Sequence, residues 1–333
     1  MVGDPNRIGE YVLLGPLYGG RTVETLRARK SGRLFSLRLL RAQHGRDPRE
    51  VEAFVARGRA ALQFKGPHLA RATQVGRADG RYFIATDYLA GQTLQALLDR
   101  CRRSGQRLSL GHAAAIAQAA AAGLAGAHET LRPCRVHPGD VLLGYDGTVR
   151  LLVAEAPDGV PVYAAPEQIR GQEANESADL FVLGAMLFEM LTLEAAFAAE
   201  SEFQSLEKVR RAEVPPPSLW NDRVPAEMDD LVRKACAREP IARFPGAAAL
   251  AEALVNLQKG YLFGPADLQD LLRRLFPDEV RAEAEDRLGV EEAPDAAASI
   301  KDKLAASKMG LGAVFWIGIV VMVAGAAWLA SGR

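Results

Sequence analysis

The hydrophobic pattern of this chain changes period near Gly91, and that change does most to limit the folds open to it. Before it, apolar residues fall in short runs or alternate. Tyr11-Val12-Leu13-Leu14 ends at Gly15, Leu34 to Leu40 alternates, and Tyr82 to Thr86 is a third strand candidate. One helix, Glu50 to Phe64, interrupts them and stops at Gly66-Pro67. After Gly91 the spacing is helical. Leu110 to Leu131 is Ala-rich with Ile116, Leu124 and His128 at helical intervals, and Ala178 to Leu193 is apolar enough to be wholly buried. Met228 to Ala237 and Gly246 to Leu257 are amphipathic. A strand-rich part followed by a helix-rich part predicts a two-lobed α+β architecture.

Composition narrows the function. The 333 residues are 49% hydrophobic and 25% charged, which permits a real core, and the formal net charge is zero. A neutral chain offers no general case for nucleic-acid binding. The balance hides an asymmetry: residues 1–60 carry 12 Lys/Arg against 6 Asp/Glu, and residues 261–300 carry 4 against 10. Two solvated surfaces explain this, and docking of the acidic segment on the basic lobe is the sharper reading. Cys101, Cys134 and Cys236 are odd in number and form no C-x-x-C pair. A disulfide framework and a zinc site are therefore not expected, and a reducing cytoplasm is. Met1 to Asn6 contains no apolar run, so no signal peptide is expected.

Towards the C-terminus, Pro265 to Phe276 and Pro277 to Leu288 each begin with Pro and an early acid, a helix-start pattern that could offer an interaction face. Residues 289–308 read as an acidic linker and juxtamembrane segment. Met309 to Ala330 holds 22 residues without a charge. As a helix it would span about 33 Å, enough for a hydrocarbon core of roughly 30 Å. Lys301, Lys303 and Lys308 precede it, which predicts a single-pass anchor with the N-terminal part cytoplasmic.

Several separated motifs, in order and near the family's spacings, make residues 8–259 resemble the protein kinases, most nearly the bacterial eukaryotic-like Ser/Thr kinases. Tyr11 to Gly15 looks like the opening strand, Gly66-Pro67-His68 stands where the family has His-Pro-Asn, and Asp87-Tyr88-Leu89 looks like the hinge. Ala165-Pro166-Glu167 is the A-P-E motif, Asp179 to Gly184 fits D-x-[WF]-x-x-G, and Arg243-Phe244-Pro245 carries the arginine that pairs with the A-P-E glutamate. The resemblance implies a bilobal kinase-like fold, with an N-lobe at 8–86, a hinge at 87–91, a C-lobe at 92–259 and a helical extension at 260–288. It also implies a buried Glu167–Arg243 ion pair, and Asp179 accepting backbone hydrogen bonds beneath the catalytic loop.

Phosphoryl transfer needs cations on the nucleotide phosphates, carboxylates on Mg²⁺ and an Asp to orient the attacking hydroxyl. The family's glycine-rich loop falls on Tyr18 to Val23, where only Gly20 is in register and the bulk of Tyr18 and Val23 should impede phosphate. Arg38 stands at the phosphate-anchoring lysine and Arg57 at its glutamate partner, so that pair cannot form. The catalytic loop reads Pro133-Cys134-Arg135-Val136-His137-Pro138-Gly139-Asp140, with Arg135 at the base, His137 at the lysine and Asp140 at the metal-binding Asn. D-F-G becomes Val153-Ala154-Glu155. From Val153 to Glu167 there are 15 residues with no Ser or Thr, so the usual activation-loop phosphosite is missing and Tyr163 is the only hydroxyl.

By this reading the expected protein is a catalytically inactive, membrane-anchored pseudokinase. It would need no ATP, Mg²⁺ or other cofactor, and would act as a scaffold for a protein partner such as an active kinase or a kinase substrate. Two alternatives stand beside it. One is an atypical kinase that binds ATP and Mg²⁺ through Asp140, Glu155 and Arg38. The other is an anion or small-ligand sensor built on an Arg38/Arg57 patch, unless those side chains simply point to solvent. His128 reads as a core or capping residue, and Asp140 and Glu155 otherwise as solvated acids. A lowered thiol pKa at Cys134, beside Arg135, is a further possibility.

Overall fold

The computed structural model describes residues 6–19, 22–153, 163–261 and 263–285. By contacts the chain divides into two units, 1–281 and 282–333. The first holds the lobes described below. Of the second, residues 282–285 are described and are helical. The apolar run at 309–330, the linker at 289–308, Gly20 and Glu155 lie outside the described residues.

The first lobe is an antiparallel sheet with one helix. β1 (Arg7–Ile8), β2 (Tyr11–Gly19), β3 (Val23–Lys30), β4 (Arg33–Leu40), β5 (Ala72–Ala78) and β6 (Arg81–Asp87) assemble in the order β1-β2-β3-β4-β6-β5. Two-residue turns close two of the hairpins. Ser31-Gly32 (φ 50° and 78°) joins β3 to β4, and Asp79-Gly80 (φ 49° and 77°) joins β5 to β6. Positive φ at both central residues matches the right-handed twist of paired strands. Alternation then sorts side chains to two faces. Phe35, Leu37 and Leu39 of β4 join Ile8, Tyr11, Ala28, Phe83 and Ala85 in one core. Val23, Leu40 and Ile84 point the other way, into the core shared with α1 (Pro48–Ala61). Asp47 caps that helix through Arg49 N.

The second lobe is mainly helical. It contains α2 (Leu94–Ser104), α3 (Leu110–Ala127), α4 (Pro166–Ile169), α5 (Glu176–Thr192), α6 (Glu202–Arg211), α7 (Ala226–Ala235), α8 (Ala247–Gln258) and α9 (Pro265–Leu275). A small sheet joins β7 (Gly91–Thr93), which precedes α2, to β8 (Val141–Gly144) and β9 (Val149–Leu151), which follow α3. α5 is the central post: from Ala178 to Thr192 every residue is buried. Its Gly184 admits α7 closely, since a Cβ there would sit 2.7 Å from Ala235 Cβ. α3 is the one described helix long and apolar enough to cross a membrane, yet most of it is buried inside the lobe.

Strand and helix expectations fall near the observed elements, but β3, β5, α2 and α6 were not anticipated. β3 (Val-Glu-Thr-Leu-Arg-Ala-Arg-Lys) and α6 are rich in charge, which masks their periodicity. The hinge is shorter than the sequence implied: Asp87 still pairs with Phe35 at the end of β6, and Gly91 already begins β7. The expected interaction face at 265–288 is corrected for α9. Leu268, Leu271, Leu272 and Leu275 are buried in the main core, and Arg100 of α2 lies 4.5 Å from the Phe276 ring. The apolar stripe of α9 is spent inside its own unit.

Candidate functional site

The loop between α3 and β8 is held from below by α5. Asp179, 1% exposed, accepts from Cys134 N and Arg135 N at 2.7 Å each, and His128 Nε2 lies 2.9 Å from its Oδ2. Two backbone donors and an imidazole satisfy a carboxylate that would otherwise be costly to bury. His128 is thus both the C-terminal cap of α3 and a core residue. His128, Cys134 and Asp179 offer ligand atoms within 4.8 Å of one another. The carboxylate is already fully engaged, so this cluster reads as a structural knot.

Above the knot, the cleft presents the altered positions. Arg135 is exposed and sits at φ 57°. Val153 is 2% exposed and belongs to the main core. Asp140 is 4% exposed and not a solvated acid: its Oδ2 accepts from His137 N at 3.1 Å and lies 2.9 Å from His137 Nδ1. Its carbonyl accepts from Leu152 N at 2.7 Å, tying the loop to the strand that precedes Val153.

The two arginines stand on different elements. Arg38 of β4 is 2% exposed, in register with Thr25 on β3 and Ile84 on β6. Arg57 of α1 crosses to the loop and donates from Nη1 to Cys134 O at 2.9 Å. Burial, then the nearby Arg135 cation, lowers its pKa. Neither side chain points to open solvent. Arg38 is buried in the sheet, and Arg57 is a strut between α1 and the loop, so the reading in which both side chains point to solvent is corrected. The lowered pKa considered for Cys134 is corrected too, because burial and then Asp179 push its thiol upward.

The described flanks of the glycine-rich segment, Tyr18 and Val23, turn towards apolar surroundings. Val23 is 1% exposed and faces the core. Tyr18 pairs with Thr25, so it shares the face of the sheet that carries Arg38. Tyr18 and Leu89 of the hinge pack against Ala70, Leu142 and Leu152. Asp87 is exposed and pairs with Arg33 at 3.2 Å. The sequence singled out Tyr18 and Leu89 separately. Their meeting with Ala70, Leu142 and Leu152 had no local signal.

The structural anchors form a second, buried site. Arg243 donates from Nη1 to Glu167 Oε1 (2.8 Å) and from Nη2 to Oε2 (2.7 Å), with further bonds to Ala237 O and Ser177 O at 2.8 Å. Phe181 of α5 covers the guanidinium at 5.0 Å. Tyr163, just before the Ala165-Pro166-Glu167 motif, donates to Glu189 Oε2 at 2.7 Å, and Arg102 bonds the other oxygen. That hydroxyl's pKa is raised, first by burial and then by the Glu189 charge.

A curled antiparallel sheet with one helix, a short hinge, a loop pinned to a central helix Asp and a buried Glu–Arg clasp together define the two-lobed protein-kinase fold. Residues 146–255 match the family described as protein kinase domain. The tyrosine-protein kinase MasK of Myxococcus xanthus is 30% identical over 284 residues, covering 77% of this chain and 44% of the relative. The serine/threonine-protein kinase PrkC of Bacillus subtilis is 25% identical, covering 72% and 39%. A crystal structure of the Mycobacterium tuberculosis PknI kinase domain superposes with TM-score 0.63 at 22% identity, over 77% of this chain and 99% of that one. The chain belongs to the protein-kinase-like superfamily and is related to the bacterial Ser/Thr kinases. It spans less than half the length of these two curated relatives.

Proposed function

We propose that this chain is a membrane-anchored pseudokinase that acts by binding a protein partner rather than by transferring phosphate. One observation carries the reading: Arg135 occupies the catalytic-base position, and buried Val153 occupies the position of the Mg²⁺-binding carboxylate. A guanidinium cannot accept a proton, and a buried isopropyl group offers a metal no lone pair. Asp140, the described carboxylate on which a rescued mechanism would depend, is engaged with His137. The uncharged run at 309–330 supplies the proposed anchor, with the kinase-like domain on the cytoplasmic side. The partner is proposed to be an active kinase or a kinase substrate, since the fold's helical surfaces persist while its chemistry does not.

The test uses the purified full chain with radiolabelled ATP and Mg²⁺ or Mn²⁺, beside thermal unfolding under the same conditions. No label is expected on the chain or on a generic acceptor, and no metal-dependent rise in Tm. Robust incorporation that Asp140→Ala abolishes would overturn the proposal in favour of an atypical kinase.

A further inference from the structure

We propose that a cavity in the second lobe, between the start of α3, the segment before α7 and the connection into α9, is a binding site for a small aromatic carboxylate. None of its lining residues belongs to the altered catalytic positions, so the inference holds whether or not the cleft transfers phosphate. The cavity measures about 980 Å³, within the usual range for pockets that take a small molecule. Three walls build it: Arg107 to His112, Ser218 to Arg223, and Tyr261, Phe263 and Asp267 between α8 and α9. The third wall lies beyond the matched family segment, which ends at residue 255. The walls are fixed to one another. Arg107 Nη1 donates to Trp220 O at 2.9 Å. His112 Nε2 lies 3.2 Å from Asp267 O, and its ring meets Phe263 edge-on at 4.7 Å. Trp220 in turn stands edge-on against Phe188 of α5, with ring centres 5.5 Å apart. A cavity pinned in this way needs little rearrangement to accept a ligand.

The chemistry of the walls sets the ligand class. Trp220, Tyr261 and Phe263 bring three aromatic side chains to one cavity, and none of them is fully buried. Ring edges and faces left open in this way favour a flat aromatic partner. Charge selects its substituent. Arg107 and Arg223 line the cavity and form no ion pair among the described residues. Arg274 of α9 adds a third cation near His112, whose pKa is lowered first by burial, with Arg274 acting in the same direction. Two acids oppose these cations. Asp267 Oδ2 is committed to Gly264 N at 2.7 Å, and Asp222 is exposed. Guanidinium groups hold a carboxylate through charge-assisted hydrogen bonds, two of them when the fork is matched. An aromatic ring carrying one carboxylate answers both features of the lining.

Isothermal titration of the full chain with 2-naphthoate tests this, against blanks in the same detergent. One saturable site is expected with a Kd of about 1 mM or tighter, ordinary for a probe of this size. Arg223→Gln is expected to weaken binding about tenfold, the loss of one charge-assisted contact. That variant should fold, because Arg223 is exposed and its described bond runs from its backbone N to Asn221 Oδ1. Trp220→Leu is expected to weaken binding as well; where it does not fold, Arg223→Gln decides. 2-Naphthylmethanol, the same ring without charge, is expected to bind about tenfold more weakly than 2-naphthoate, and equally to wild type and Arg223→Gln. Arg59→Gln, an exposed arginine of α1, is expected to leave the affinity for 2-naphthoate unchanged. Absence of saturable binding would overturn the inference, as would equal affinity for the acid and the alcohol. So would 2-naphthoate binding that Arg223→Gln leaves intact or that Arg59→Gln weakens equally. A blocked peptide with one tryptophan between two glutamates, binding tighter than 2-naphthoate, would overturn the assignment to a free small molecule.

Discussion

At the scale of single residues, buried charge decides most. Arg243 and Glu167 are 3% and 4% exposed and joined by two parallel hydrogen bonds, with further acceptors around the guanidinium. Breaking a buried pair from one side leaves an uncompensated charge, which typically costs about 3–5 kcal/mol. Glu167→Ala is therefore expected to lose stability on that scale, read from the urea midpoint at constant slope. The cysteines set a pH limit. Burial raises the Cys101 thiol pKa to about 11 from its ordinary 9.0. Below pH 9 the thiol is protonated in both states and its preference for the fold is complete. Between 9 and 11 the unfolded chain ionises first, so this contribution is lost as pH rises. Thermal unfolding is expected to show stability falling over that window, with a shallower fall in Cys101→Ala.

At the scale of elements, the extension after α8 is part of the fold. α9 lies beyond the matched family segment, which ends at residue 255, yet Leu272 is fully buried and Leu268 nearly so. Leu272→Ala is expected to cost about 2–5 kcal/mol, as for other buried Leu truncations. Denaturant unfolding should show one cooperative transition. A separate early transition with wild-type stability of the main domain would mean that α9 is a detachable appendage. The same scale shows where local reading stops. α5 was legible because nearly all of it is apolar, and α9 because Pro265 and its leucine spacing mark a helix with one apolar face. Whether α9 covers its own domain or a partner depends on what α2 and Phe276 present to it, which the segment itself does not encode.

At the scale of the whole molecule, the proposed anchor and the folded lobes make separate claims. Deleting residues 309–330 is expected to move the protein from the membrane fraction to the soluble fraction without changing the Tm of the kinase-like domain. Continued sedimentation with membranes after deletion would count against the anchor. The lobes are linked by direct hydrogen bonds. Arg57 spans from α1 to Cys134 O, and Leu151 N bonds to His68 O at 2.8 Å, fastening β9 to the segment between α1 and β5.

What the sequence determined by itself was the change from a strand-rich to a helix-rich part, because periodicity is a local property of a chain, while the catalytic positions and the Glu167–Arg243 clasp followed from motifs that resemble the protein kinases. What only the tertiary structure decided was where the misfit residues went. Arg57 turned to a carbonyl 77 residues away, Asp140 engaged His137, and Tyr18 met leucines from three other segments. A buried polar or aromatic group settles wherever distant backbone and side chains satisfy it, and no window along the chain contains those distant partners.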